Sequence, residues 1–212
     1  MSDDDDGVQI AQRRVRADRP GPAIPLLLLA LVVIGAIVLT FVEANQTGFY
    51  IEDPARVAYW AIASALAYLV AVLVARRQGY RGGIWVDRSP LAAAGMIALI
   101  VALIIVLGEF AAGDMLIRGN VPVLALTVGV LVWAYREHRP GLWAIAIVLI
   151  PLSLLANLYN MENLLGRMGI PISFAHADQV ANLGAIAIVL LIGAAGFGLA
   201  HWFAAIRARR SR

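Results

Sequence analysis

The chain contains neither cysteine nor lysine, and only 15% of its residues are charged. Without cysteine there is no disulfide, thiolate nucleophile, iron–sulfur cluster or cysteine-ligated zinc site. Without lysine there is no Schiff-base chemistry and no retinal attachment. All 17 basic residues are arginine, whose codons are GC-rich, and this indicates a bacterial source with a GC-rich genome.

The sequence is dominated by long runs of apolar residues. Hydrophobic residues make up 61% of the chain, and its mean hydropathy is +0.81. These values are typical of membrane proteins and not of soluble domains. Six runs are long enough to cross a bilayer, and they cover residues 24–44, 56–75, 90–111, 120–136, 141–160 and 178–206. We therefore predict an all-α polytopic membrane protein, a bundle of six transmembrane helices.

The arginines alternate between the two sides of this bundle. Fourteen of the 17 lie in the two tails, the loop after the second span and the loop after the fourth; the others are Arg56, Arg118 and Arg167. Since arginine is enriched in cytoplasmic loops, both termini are predicted to be cytoplasmic, in a bacterial cytoplasmic (inner) membrane. Residues 1–22 are predicted to be a disordered cytoplasmic tail, 23–207 the transmembrane domain, and 208–212 a basic cytoplasmic tail. Charge segregated in this way argues against nucleic acid as a partner.

One polar stretch, residues 157–184, lies between the last two apolar runs. Ser153, Asn157 and Asn160 share one face of the fifth predicted helix, and Asp178 and Asn182 share a face of the sixth. Amides are costly in hydrocarbon, so these side chains are expected to face the bundle or water. Between them, residues 161–169 predict a short amphipathic helix at the outer interface that Gly169 ends.

This polar stretch has two interpretations. In the first, its side chains cap helix ends and fix the short helix in place. In the second, they line an outward-facing cavity for a small polar ligand. The candidate ligand-binding residues are Ser153, Asn157, Asn160, Glu162, His176, Asp178 and Asn182. Glu162, His176 and Asp178 are also a weak metal signal, but we predict no metal and no cofactor. The predicted outer side carries seven acidic residues against three arginines, which reflects either arginine exclusion or a mouth that attracts cations.

Small residues recur in the sixth predicted helix. Gly193, Gly196 and Gly198 lie in an apolar segment without lysine, so they cannot form a phosphate-binding loop. We predict that these glycines allow close packing between helices.

The pattern as a whole contains no nucleophile–base pair, and no charged side chain lies near the middle of a predicted span. We therefore expect a non-enzymatic component of a transport system that binds or passes a small substrate through the outer cavity. In size and topology the chain is similar to the substrate-binding subunits of energy-coupling-factor vitamin transporters, although no motif accompanies the likeness. This resemblance implies a separate ATPase as a partner. The alternative is an accessory or scaffold subunit whose apolar faces bind other membrane subunits or a second copy.

Overall fold

A computed structural model describes residues 21–43, 54–82, 95, 121–159, 161–170 and 176–210. The regular structure within these ranges is all helical, which confirms the predicted class. The helices are α1 (Ala23–Glu43), α2 (Pro54–Gly82), α3 (Val121–Glu137), α4 (Pro140–Leu158), α5 (Met161–Arg167) and α6 (Ala177–Arg210). Five of them coincide with predicted spans, and α5 is the predicted short helix. The predicted third span, residues 90–111, lies outside the described residues except for Gly95.

Three of the described helices are long and apolar enough to cross a membrane. Their apolar stretches are Ala23–Val42, Pro140–Leu158 and Ala177–Arg207. α2 contains a shorter apolar stretch, Ala58–Val74. α3 has 17 residues, which corresponds to a length of about 25 Å. By length and composition, these helices support a membrane location.

The long helix α6 packs against α1 and α4. α1 and α6 are antiparallel, because Thr40 near the end of α1 meets Gln179 near the start of α6. Farther along the pair, Leu26 lies beside Gly193. α4 is also antiparallel to α6 and forms a hairpin with α3, while α2 packs on α1 and α5 on α6.

This arrangement gives the bundle two distinct ends. We call one the polar end: it holds the end of α1, the start of α3, the end of α4, α5 and the start of α6. The other, the arginine end, holds the start of α1, the α3–α4 turn and the end of α6, with Arg136, Arg139 and Arg207. At the turn, Glu137 accepts a hydrogen bond from the Trp133 indole at 3.1 Å and pairs with Arg139 at 2.9 Å.

Apolar side chains from α1, α3, α4 and α6 fill the core between these ends, and glycines let the helices approach closely. The core includes Leu26, Val33, Val123, Leu142, Leu149, Ile186 and Leu190. A methyl group added at Gly193 would displace the end of the Ile145 side chain of α4, so α4 and α6 approach closely at this glycine. No described residue lies within 4 Å of such a group at Gly196 or Gly198, and their predicted packing role stays a prediction.

Candidate functional site

Asn182 joins three helices at the polar end. Its side chain is only 1% exposed. The carbonyl oxygen of the amide accepts a hydrogen bond from the Met161 backbone N–H at 2.6 Å, at the first residue of α5. The amide nitrogen donates to the Ala156 carbonyl at 3.3 Å, in the last turn of α4. Both ends of the Asn182 amide therefore bind backbone groups at helix ends, as the capping interpretation expects.

Ser153 and Asn157 lie one turn apart on the buried face of α4, with exposures of 1% and 2%. The Ser153 hydroxyl donates to the Ile150 carbonyl at 3.0 Å, and the Asn157 amide donates to the Ser153 carbonyl at 2.8 Å. Pro151 lies in the same turn and lacks a backbone donor, so the α4 hydrogen-bond ladder is interrupted there. Ser153 and Asn157 thus share one face of α4, which is turned into the bundle.

Two threonines complete the buried polar groups. Thr40 of α1 is 2% exposed, and its hydroxyl donates to the Ala36 carbonyl at 3.0 Å and lies 3.4 Å from the Gln179 side-chain oxygen. Thr127 of α3 is 4% exposed, and its hydroxyl has no hydrogen-bond partner among the described residues. Neither threonine belongs to the predicted ligand-binding set, although Thr127 is one of the neutral polar residues near the middle of a predicted span. Gln179, which Thr40 contacts, lies three residues before Asn182. This helical spacing could have added Gln179 to the predicted polar face of the sixth span.

The five buried polar side chains of the described residues share a location and a chemistry. They are Thr40, Thr127, Ser153, Asn157 and Asn182, and we call them the polar layer. Each lies in the half of its helix nearer the polar end, and all are neutral. The polar layer therefore offers hydrogen-bond donors and acceptors but no group that exchanges protons near neutral pH.

The predicted rim residues are placed differently. Glu162 and Asp178 are half-buried in the first turns of α5 and α6, where a negative charge interacts favourably with the helix dipole. His176 precedes α6 with a φ of 60°, and its carbonyl accepts the Val180 N–H at 3.0 Å. Among the described residues no three histidine, aspartate or glutamate side chains could hold a metal ion, so the weak metal signal gains no support. Asn160 lies outside the described residues.

The short helix α5 ends as predicted. Gly169 has a φ of 81°, the Gly169 N–H donates to the Gly166 carbonyl at 3.1 Å, and the Ile170 N–H donates to the Leu165 carbonyl at 2.9 Å. This pair of bonds is the glycine-dependent helix stop known as the Schellman motif. Arg167 stacks over the Tyr159 ring at 5.5 Å, which ties α5 back to the end of α4.

Neither a known protein family, nor a curated protein, nor a solved structure matches this chain. The geometry of the polar layer and of the helix surfaces therefore carries the functional argument.

Proposed function

We propose that the chain is an accessory or scaffold subunit of a membrane protein complex, built into a bacterial cytoplasmic membrane with both termini in the cytoplasm. The arginine end supports this orientation, because Arg136, Arg139 and Arg207 lie at the same end of the bundle. Arginine is enriched on the cytoplasmic side of membrane proteins. α3 and α4 are joined by one short turn and have similar lengths, of 17 and 19 residues. If α4 spans the bilayer, α3 then crosses nearly the same depth.

The observation that carries the subunit proposal is an exposed apolar seam on α2. The seam consists of Ile62, Leu66, Leu69 and Leu73, which are 61%, 55%, 51% and 45% exposed. Their spacing of four, three and four residues is that of the contact positions in a coiled coil. Such a seam fits against a second helix with the same spacing by placing each side chain between those of the partner.

The opposite face of α2 is already occupied. Ala67 and Ala71 lie on this face and are 8% and 5% exposed. Near the start of α2, and not on the opposite face, Tyr59 also donates a 2.7 Å hydrogen bond to the Val32 carbonyl of α1. Small residues and a polar anchor thus attach α2 to its own bundle, while large aliphatic side chains face away. Because lipid is as apolar as leucine, a partner helix at the seam would be held by side-chain packing in the 3–4 spacing and not by the hydrophobic effect.

The buried amides also favour this proposal over an open cavity. Asn182 has both of its polar atoms engaged with backbone groups. Residues used in this way hold α4, α5 and α6 together and are not presented to a solute.

The test is the mass of protein in the particle that the full chain forms when it is extracted from native membranes with its lipids. We expect this protein mass, with the lipid contribution subtracted, to be well above the 22.7 kDa of one chain. Replacing Leu66 and Leu69 with alanine removes the centre of the seam and should return the particle to one chain. The matched control is Leu27→Ala with Leu31→Ala on α1, whose side chains are 42% and 52% exposed. A single-chain mass for the parent, or equal masses for both double variants, would contradict the proposal.

A second candidate function, transport or binding of a small neutral solute, is favoured by Thr127. Its hydroxyl is buried and has no partner among the described residues, although burying an unpaired hydroxyl is costly. A solute entering from the polar end would supply that partner, with a separate ATPase as the energy source of a transport system.

Replacing Thr127 with valine tests this candidate, because valine keeps the shape and removes the hydroxyl. We expect a panel of small neutral solutes (polyols, amides and nucleosides) to include one that raises the melting temperature of the parent but not of Thr127→Val. Thr40→Val is the control, since the hydroxyl of Thr40 already binds within the bundle. If no solute stabilises the parent, or if the one that does stabilises Thr127→Val equally, this candidate is rejected.

A further inference from the structure

The end of α6 projects beyond the rest of the described bundle. Phe197 is the last α6 side chain packed against the core, where its ring fits against Gly141 at the start of α4. α6 then continues to Arg210, a further 13 residues, or about 20 Å. Every residue from Leu199 to Ala205 is exposed.

This projecting segment has one apolar face. Leu199, Trp202 and Phe203 are 55%, 56% and 51% exposed, and with the half-buried Ile206 they recur at helical spacing. Arg210 follows Ile206 by four residues, so its position lies on the same face, and Arg207 and Arg209 occupy neighbouring positions. Going outward along the helix, aliphatic and aromatic residues thus give way to arginines.

The arginines of this segment have no acidic neighbour in their own helix. No aspartate or glutamate occurs in residues 179–212, and no described residue forms an ion pair with Arg207. The α3–α4 turn is different, because Arg139 there is paired with Glu137 at 2.9 Å. Among the described residues, the charge of Arg207 is therefore not neutralised by an acidic side chain.

We propose that the projecting end of α6 binds the headgroups of anionic phospholipids. The apolar stretch of α6 has 31 residues, or about 46 Å, which exceeds a hydrocarbon core of about 30 Å. Even when tilted at the usual angle of about 20°, a helix of that length extends past the hydrocarbon core, so its last turns reach the headgroup layer. The apolar face then meets the acyl chains, and the arginines extend to the phosphates. Each arginine near an anionic surface raises binding by about fivefold.

Fluorescence quenching of Trp202 in reconstituted vesicles tests this proposal. The full chain is placed in mixed phosphatidylcholine and phosphatidylglycerol vesicles, with bromine carried by the acyl chains of one lipid or of the other. The Trp202 signal is the difference between the parent and Trp202→Phe. We expect brominated phosphatidylglycerol to quench Trp202 more strongly than brominated phosphatidylcholine at equal content. That preference should disappear in Arg207→Gln with Arg209→Gln and Arg210→Gln, and it should weaken at high salt.

Arg167→Gln is the matched control, because this arginine lies at the polar end, and the preference should survive the change. Equal quenching by both lipids in the parent, or a preference retained by the triple variant, overturns the proposal. If neither lipid quenches Trp202, the proposal is also overturned, since the apolar face would then be covered by protein, either a partner or a second copy.

Discussion

Replacing Asn182 with alanine removes the two described hydrogen bonds that join α4, α5 and α6. The Met161 N–H loses its acceptor, 2.6 Å away, inside a site where Asn182 is 1% exposed. A buried donor left without a partner costs about 1–3 kcal/mol. The bond to Ala156 is longer, at 3.3 Å, and comparable side-chain hydrogen bonds in membrane proteins contribute about 0.6 kcal/mol.

Together these losses predict that Asn182→Ala lowers the free energy of unfolding by about 2–4 kcal/mol. For a chain of this size the melting temperature falls by about 2–4 °C per kcal/mol, so a decrease of about 4–16 °C is expected. The assay is thermal unfolding of the full chain in detergent, followed by tryptophan fluorescence.

Asn163→Ala is the control for this prediction. The Asn163 amide also donates to a backbone carbonyl, that of Tyr159 at 2.8 Å, but the bond is exposed. Water can replace it, and the change should cost no more than about 0.5 kcal/mol. If the two variants melt at the same temperature, Asn182 does not hold the helix junction and the reasoning fails.

Three further predictions concern glycine contacts and topology. Gly193→Val should destabilise the fold by about 1–3 kcal/mol by overpacking the α4–α6 contact, and thermal unfolding should show a larger loss than for Gly196→Val, where no described neighbour lies within 4 Å. Gly35→Ala should be destabilising because the added methyl collides with the Tyr59 hydroxyl, and thermal unfolding should show a smaller cost in a Tyr59→Phe background; equal costs in both backgrounds would show that the two residues do not interact. A reporter that is active only outside the cytoplasm, fused after Arg212, should be silent, and strong activity would reverse the proposed orientation.

The long helices could be predicted because an apolar run of sufficient length is their direct cause. Their ends were harder to predict. The second predicted span stops at residue 75 and the sixth at 206, yet α2 continues to Gly82 and α6 to Arg210. Apolarity ends where arginine begins, but alanine and arginine are both good helix formers, so the backbone stays helical beyond the apolar run.

The candidate site was predicted only as a set of faces. Three- and four-residue spacing correctly placed Ser153 and Asn157 together on α4, and that same logic selected Asn182 on α6. Spacing does not identify the partners, however, because the groups that Asn182 binds are backbone atoms 21 and 26 residues earlier in the chain. Backbone donors and acceptors leave no mark in a side-chain pattern, and this is why capping and cavity lining could not be separated from sequence.

A buried asparagine at position 182 has a physical reason in a membrane bundle. Lipid is as apolar as leucine, so the hydrophobic effect gives helices little reason to associate within the bilayer, and packing and hydrogen bonds must hold them. α5 has only seven residues, too few to be stable alone. α5 depends on the hydrogen bond from its first residue, Met161, to Asn182. It also depends on the helix stop at Gly169 and on the contact of Arg167 with Tyr159. The amide therefore does at this joint what leucine could not, because it fixes the start of α5 and the end of α4 against the same turn of α6.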